Sequence, residues 1–65
     1  MRIDRVKLIA EMARQDIKVK DLARKAHVSR STITAVRTGK ACSENTINHI
    51  ALGLGVDPAD LIKED

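Results

Sequence analysis

A chain of 65 residues that contains no phenylalanine, tyrosine or tryptophan must build its interior from aliphatic side chains alone. Such a short chain buries only about 60% of the surface that its unfolded form exposes, so we expect its stability to be marginal. The single cysteine, Cys42, cannot form an internal disulfide that would compensate for a small core. These limits favour a single domain over residues 1–65, in which short elements share one aliphatic core.

The aliphatic residues recur at helical spacing, and residues typical of helix ends separate the runs. We predict five helices and no sheet, because no stretch alternates between apolar and polar residues for long enough. The residues expected to face the core are Leu8, Ile9, Met12 and Ala13 in the first helix, Leu22, Ala23 and Ala26 in the second, Ile33 and Val36 in the third, Ile47, Ile50, Ala51 and Leu54 in the fourth, and Leu61 and Ile62 in the fifth.

The predicted helix ends follow from capping residues. Asp4, Ser29 and Ser43 can each accept a hydrogen bond from a free backbone N–H at the start of the first, third and fourth helices. The second helix is predicted over residues 19–26, and the pair Asp57-Pro58 predicts the start of the fifth. Glycines at positions 39 and 55 predict where the third and fourth helices stop.

Charge is unevenly distributed along the chain. Residues 1–43 carry eleven lysines and arginines against four acids, a net charge of +7, whereas residues 44–65 carry Lys63 against five acids, a net charge of −4. A polyanion is therefore attracted to the first two-thirds of the chain and repelled by the rest. Charge alone does not identify the partner, because lysine and arginine also solvate helix faces that bind nothing.

Residues 19–40 predict two short helices that meet across a turn of three or four residues, the geometry that presents a second helix to a DNA major groove. With Ile33 and Val36 turned inward, the opposite side of the third helix carries short side chains, namely Ser31, Thr34, Ala35 and Thr38. Arg30 lies at the start of this helix, between the two faces. Arginine can pair with guanine, and serine or threonine can contact base edges, so this side suits a close approach to bases.

Four short motifs occur in a fixed order: Leu22-Ala23, then Val-Ser-Arg-Ser-Thr-Ile at residues 28–33, then Gly39-Lys40, then Leu54-Gly55-Val56. With these motifs, the chain from about residue 5 to about residue 62 resembles the phage-repressor/Cro-type helix-turn-helix family, also called XRE or lambda repressor-like. The resemblance implies an all-α, compact five-helix DNA-binding domain whose helix-turn-helix is formed by the second and third helices.

The resemblance also implies roles for individual residues. The helix from Ser29 to Thr38 corresponds to the recognition helix, and its positions that face bases or nearby phosphates are Arg30, Ser31, Thr34 and Ala35. The positions implied to approach the DNA backbone are Lys18, Val19 and Lys20 at the start of the second helix and Lys40 after the third. Ser29 and Ser31, close to a helix N-terminus, can also bind a phosphate oxygen.

Three places depart from the family pattern. Val19 stands where the family often has a glutamine that binds a phosphate, so only a backbone N–H remains for that contact. His27 replaces a turn glycine, and we therefore expect it to adopt a positive φ. Met12 and Arg37 stand where many members pair an arginine with a glutamate. Arg37 is left either to pair with an acid such as Glu11 or to reach a DNA phosphate.

Leu52 lies about 140° around the fourth helix from Ile47, away from the predicted core face. Two interpretations stay open. Leu52 is either a lone surface leucine, which proteins tolerate, or part of a twofold dimer contact at the end formed by helices 4 and 5. Such a dimer would read two half-sites about 34 Å apart.

We expect a sequence-specific, double-stranded DNA-binding transcriptional regulator, a repressor that inserts its third helix into the major groove. Two alternatives remain: an antitoxin or mobile-element accessory DNA binder, and a helix-turn-helix scaffold used only for protein–protein contact. Residues 1–65 leave no room for a ligand-sensing domain, so no small-molecule ligand is expected.

No chemistry is expected of this chain. His27, Cys42 and His49 lack metal-ligand spacing, and Ser29 beside His27 lacks a carboxylate to orient it, so neither a metal, a cofactor nor an enzyme activity is predicted. We expect Cys42 to be an inert small residue, since no second cysteine is present to resolve it. No apolar run approaches the ~20 residues that span a bilayer, so we expect no membrane partner and a cytoplasmic, nucleoid-associated protein.

Overall fold

Each α-helix is preceded by a capping residue whose backbone is extended. Three of these capping residues accept hydrogen bonds from the helix through a side-chain oxygen. The computed structural model describes residues 2–63 and contains α1 (Arg5–Arg14), α2 (Val19–Ala26), α3 (Arg30–Arg37) and α4 (Glu44–Leu54). As predicted, the side chains of Asp4, Ser29 and Ser43 accept hydrogen bonds from the first-turn amides of α1, α3 and α4. The start of α2 has no side-chain cap.

One aliphatic core lies between the four helices. The predicted inward faces of α2, α3 and α4 are all buried, and Leu61 joins them from the C-terminal segment. The prediction for α1 is right for Leu8 and Met12 and wrong for Ile9 and Ala13, which are exposed. α1 therefore contributes only a narrow stripe, Leu8 and Met12, to the core.

The predicted fifth helix is wrong. Asp57 and Pro58 do begin a helical turn, with Asp57 capping the amide of Ala59, but the turn is a 3₁₀ element of three residues, Pro58–Asp60. Leu61 ends this turn, and the next residue, Ile62, forms an antiparallel bridge with Ile3. Within residues 2–63 the chain is therefore all-helical apart from this single bridge, with four α-helices.

The bridge fastens the two ends of the described chain to each other. The amide of Asp4 donates to the carbonyl of Leu61 at 2.7 Å, and the amide of Lys63 donates to the carbonyl of Arg2 at 3.0 Å. Ile3 is consequently 2% exposed and belongs to the core, a placement that the sequence analysis does not predict. With this closure the radius of gyration is 10.0 Å, close to the roughly 11 Å of a fully collapsed chain of this length.

α2 and α4 approach each other closely at one glycine. A Cβ atom placed on Gly53 would lie 3.0 to 3.1 Å from the backbone and Cβ atoms of Ala26, so a glycine is needed where α4 crosses the end of α2. At the neighbouring corner, the side-chain amide of Gln15 donates to the carbonyl of Leu54 at 2.7 Å and to Glu11 at 2.8 Å. These contacts fix the end of α1 against the end of α4.

Candidate nucleic-acid interface

The turn between α2 and α3 consists of three residues, as the sequence predicts. His27 adopts φ +56°, the left-handed conformation expected where the family has glycine, and its amide closes the helix by donating to the carbonyl of Ala23. Val28 is half-buried against the core. Ser29 then accepts a hydrogen bond from the amide of Thr32 and starts α3 in a new direction.

The side of α3 that faces away from the core is open to solvent. Ile33 is fully buried and Val36 is 1% exposed, which fixes the rotation of the helix about its axis. Opposite them, Ser31, Thr34 and Thr38 are exposed, as are the flanking residues Ser29 and Arg30, whereas Ala35 is half-buried. The side predicted to enter a groove is therefore not covered by any described residue of the chain itself.

The hydroxyl groups on α3 differ in how far they are already hydrogen-bonded. Ser29 Oγ lies 2.8 Å from Thr32 Oγ1 and caps the helix, and Thr38 Oγ1 donates to the carbonyl of Ala35 at 2.7 Å. Ser31 Oγ has a single longer contact of 3.2 Å, to Ser29 Oγ. Among the described residues Thr34 has no hydrogen-bond partner for its hydroxyl. Ser31 and Thr34 are thus the hydroxyls most available to a base.

Exposed cations surround this helix. Lys18 precedes α2, Lys20 lies in its first turn, Arg30 begins α3, and Lys40 follows Gly39, whose φ of +97° ends the helix as predicted. In the part of the chain that the structure describes, the only ion pair joins Arg14 to Glu11. The charges of these four cations are therefore not neutralised by a described carboxylate.

The hypothesis that Arg37 pairs with Glu11 is wrong. Glu11 is engaged by Arg14 and Gln15, and the hydrogen bonds from Arg14 lower the pKa of the Glu11 carboxyl below its usual value. Arg37 is half-buried, and its Nε is enclosed without a hydrogen-bond partner. It lines a groove that also contains Lys18 and Met12. The second hypothesis, a phosphate contact, remains a proposal.

The remaining candidates lie outside the outer side of α3. Cys42 lies in the loop before α4, and burial raises the pKa of its thiol above the usual value, which keeps it protonated near neutral pH. Leu52 projects from α4 and is 80% exposed. The acids Glu64 and Asp65, which were counted in the negative C-terminal part of the sequence, lie outside the described residues.

The sequence analysis assigns no role to three cations that the fold brings together. Arg2, Arg5 and Lys63 line one groove, which Thr38 and Gly39 at the end of α3 complete. Arg2 and Lys63 belong to opposite ends of the sequence, and only the bridge between Ile3 and Ile62 makes them neighbours. No local sequence pattern reveals such a contact.

Two short helices joined by a three-residue turn, with the outer side of the second left open, define a helix-turn-helix protein. The sequence model of the Cro/C1-type HTH DNA-binding domain matches residues 7–64. The chain therefore belongs to this family, which confirms the family predicted from its motifs. The family binds DNA and is not typically enzymatic, and membership supports a DNA-binding regulator. No curated protein and no solved structure matches the chain.

None of the helices between residues 2 and 63 combines the length and the apolar character that crossing a membrane requires.

Proposed function

We propose that this chain is a sequence-specific transcriptional regulator that acts as a repressor by inserting α3 into the major groove of an operator. The observation that supports this most directly is the division of α3 into two sides. Ile33 and Val36 are buried, while Ser31 and Thr34 are exposed and largely free of internal hydrogen bonds. A helix held from beneath in this way is rigid enough to present short polar groups to base edges.

Base contacts are assigned to the side chains at the start and along the outer side of α3. Arg30 can pair with guanine O6 and N7 in a bidentate manner. Ser31 and Thr34 can donate to or accept from either base edge, and Ala35 can contact a thymine methyl group. Thr38 stands at the far end of the same side, where its methyl group remains available although its hydroxyl donates to Ala35.

Backbone contacts are assigned to the cations around α3. Lys18, Lys20 and Lys40 are exposed and unpaired within residues 2–63, so each can neutralise a phosphate and release a counterion. Arg37 joins this set, because its side chain lines the same groove as Lys18. Ser29 is a weaker candidate, since its hydroxyl already caps α3.

The regulator is proposed to act by occupancy, without chemistry. A repressor of this kind needs only to compete for a stretch of duplex, and its control then comes from concentration, proteolysis or a partner protein. A homodimer formed through Leu52 on α4 would place two α3 helices one helical turn of DNA apart and double the sequence that is read.

Selection of bound sequences from a random duplex library tests the proposal directly. We expect an enriched motif, with two copies about 10 base pairs apart if the protein binds as a dimer. Affinity for that motif should fall about 10³–10⁵-fold between 50 and 200 mM salt if six to ten phosphates are contacted. No enrichment together with no salt-dependent affinity would contradict the proposal and favour a helix-turn-helix scaffold that contacts only proteins. The antitoxin or mobile-element accessory role is separated from the repressor role by the genomic neighbourhood of the coding sequence.

A further inference from the structure

A groove of about 390 Å³ lies where the two ends of the described chain meet the C-terminal end of α3. Its cationic walls are Arg2, Arg5 and Lys63, all of them exposed. Thr38 and Gly39 form its border with α3. None of the three cations forms an ion pair with a carboxylate among residues 2–63.

The one acid that lines the groove is already engaged. Asp4 Oδ1 accepts hydrogen bonds from the amides of Val6 at 2.9 Å and Lys7 at 3.3 Å, which are the free amides at the start of α1. Capping fixes this carboxylate toward the helix. The described side chains of the groove therefore carry three positive charges against one negative charge that faces the helix backbone.

The fold places two of these cations against each other. Ile3 and Ile62 form an antiparallel bridge, and the amide of Lys63 donates to the carbonyl of Arg2 at 3.0 Å. Residues directly opposite in an antiparallel pair project to the same side, and like charges in that arrangement are destabilising. An anion between Arg2 and Lys63 would remove this repulsion.

The third cation lies at a helix end that itself carries positive charge. Arg5 is the first residue of α1, and the first turn of that helix contains no acid beyond its cap, Asp4. The N-terminal end of a helix carries partial positive charge, which disfavours an arginine there. The pair Arg2 and Lys63 and the position of Arg5 are therefore two independent features that an anion in the groove would stabilise.

We infer that this groove binds a phosphate of the DNA backbone, next to the one that Lys40 contacts. DNA is the favoured source of this phosphate, because the groove continues the outer side of α3. Thr38 ends that side and also lines the groove. A strand that passes the C-terminal end of α3 brings its phosphates to this place. The inference deepens the proposed function and rests on it.

The test is the salt dependence of DNA binding in an Arg2→Gln/Arg5→Gln double variant. Losing one phosphate contact should reduce the slope of log affinity against log salt by about 0.9, which corresponds to about an eightfold loss of affinity at 0.1 M salt. The loss should be the same for the selected sequence and for an unrelated duplex, because a backbone contact reads no bases. Arg24→Gln/Lys25→Gln, an equal change of charge in the last turn of α2, is the matched control and should leave the slope unchanged.

Thermal unfolding of the free protein separates this role from a structural one. Removing Arg5 from a helix N-terminus should leave the melting temperature of the Arg5→Gln variant equal to or higher than that of the wild type. If a variant binds DNA more weakly but is at least as stable as the wild type, the result supports the groove as a phosphate site. A lower melting temperature with an unchanged salt slope would overturn it.

Three further outcomes identify which part of the proposal fails. A wild type that binds no duplex overturns the proposed function, and this inference with it. A wild type that binds duplex while Arg2→Gln/Arg5→Gln matches Arg24→Gln/Lys25→Gln overturns the groove alone. If inorganic phosphate raises the melting temperature above chloride at equal ionic strength, but the DNA slope does not change, the ligand is a free anion and the DNA source is wrong. Repeating the comparison with Glu64→Gln/Asp65→Asn present removes the effect of the two terminal acids.

Discussion

At the scale of single residues, Arg30 and Lys40 are both exposed cations at the ends of α3, but the proposed function assigns them different roles. Arg30 is the first residue of the helix, whereas Lys40 lies in the loop beyond Gly39. Replacing Arg30 by alanine should relax the preference at one base position and cost about 1–3 kcal/mol there. Replacing Lys40 by alanine should weaken all sequences alike and reduce the salt slope by about 1.

Competition titrations of both variants against a panel of single-base changes in the selected site measure this difference. Arg14→Ala serves as a control for a lost cation, because Arg14 is bound to Glu11. The assignment is contradicted if Arg30→Ala weakens every duplex equally and leaves the base preferences as they are in the wild type.

Glu11 makes a prediction about acid stability. Hydrogen bonds from Arg14 and then from Gln15 lower its pKa below the ordinary value of 4.5, so its ionised form stabilises the folded state. For a group whose pKa is lowered by folding, this stabilisation is present above the unfolded pKa and is lost as the pH falls through the folded pKa. Compared with Glu11→Gln, which does not titrate, the wild type should therefore lose more stability as the pH falls below about 4.5.

Urea unfolding of the wild type and of Glu11→Gln at pH 6 and pH 3 measures how much stability each protein loses. Subtracting the loss of Glu11→Gln from that of the wild type cancels the titration of the other carboxylates. In an Arg14→Gln background the difference should shrink, because the main cause of the lowered pKa is absent. Equal losses in the wild type and in Glu11→Gln would show that the pair contributes nothing.

At the scale of elements, the turn between α2 and α3 depends on one residue in a conformation that suits glycine. His27 has φ +56°. A non-glycine residue in the left-handed region is strained by about 1 kcal/mol, so His27→Gly should stabilise the protein by roughly 0.5–1 kcal/mol without changing DNA affinity. Chemical denaturation measures the gain. His27→Ala, which removes the imidazole but keeps Cβ, is the control and should show no gain.

At the crossing of α2 and α4 a glycine is already present, and we expect its replacement to destabilise the protein. Gly53→Ala would place a Cβ about 3.0 Å from the backbone nitrogen of Ala26, and backbone atoms cannot move aside as a side-chain end can. Overpacking costs of about 1–3 kcal/mol exceed the roughly 1 kcal/mol that alanine gains over glycine within a helix, so we expect a net loss of about 1 kcal/mol. Asn48→Ala, an exposed change on the same helix, should gain stability. A melting temperature of Gly53→Ala at or above that of the wild type would show that α2 and α4 can shift apart enough to accommodate the added Cβ.

The sequence predicts those elements whose ends are determined by neighbouring residues. The caps Ser29 and Ser43 and the stop at Gly39 depend on hydrogen bonds and backbone angles within a few residues, and the structure confirms them. The fifth helix fails for a different reason. The signals at Asp57 and Pro58 are sufficient for one turn, but pairing of the segment around Ile62 with the N-terminal segment prevents the helix from continuing.

The same distinction applies to the candidate site. The outward side of α3 follows from the burial of Ile33 and Val36, which helical spacing predicts. The partner of Arg37 and the groove of Arg2 and Lys63 depend on contacts between distant segments. Spacing within a helix carries no information about which distant side chain fills the space beside it, so these features were found only in the structure.

At the scale of the whole molecule, an aliphatic core this small leaves little stability to spare, and assembly would increase the buried area. Among residues 2–63, Leu52 is the large apolar side chain outside α1 that is most exposed, with 80% of its surface open. It belongs to α4 and not to α3, so a contact through it does not use the residues of α3. The position is therefore compatible with a dimer that reads two half-sites.

Leu52→Glu tests this contact. If Leu52 packs against its copy across a twofold axis, two carboxylates would face each other in the variant, and like charges together with the lost apolar area should dissociate the dimer. Analytical ultracentrifugation at increasing concentration should then show a dimer for the wild type and a monomer for Leu52→Glu, with Ala10→Glu at an exposed position on α1 as the control for added charge. DNA affinity should fall on a two-half-site operator and stay unchanged on a single half-site, because α3 itself is not altered. Identical monomeric profiles for the wild type and Leu52→Glu at high concentration would rule this contact out and leave Leu52 as an isolated surface leucine.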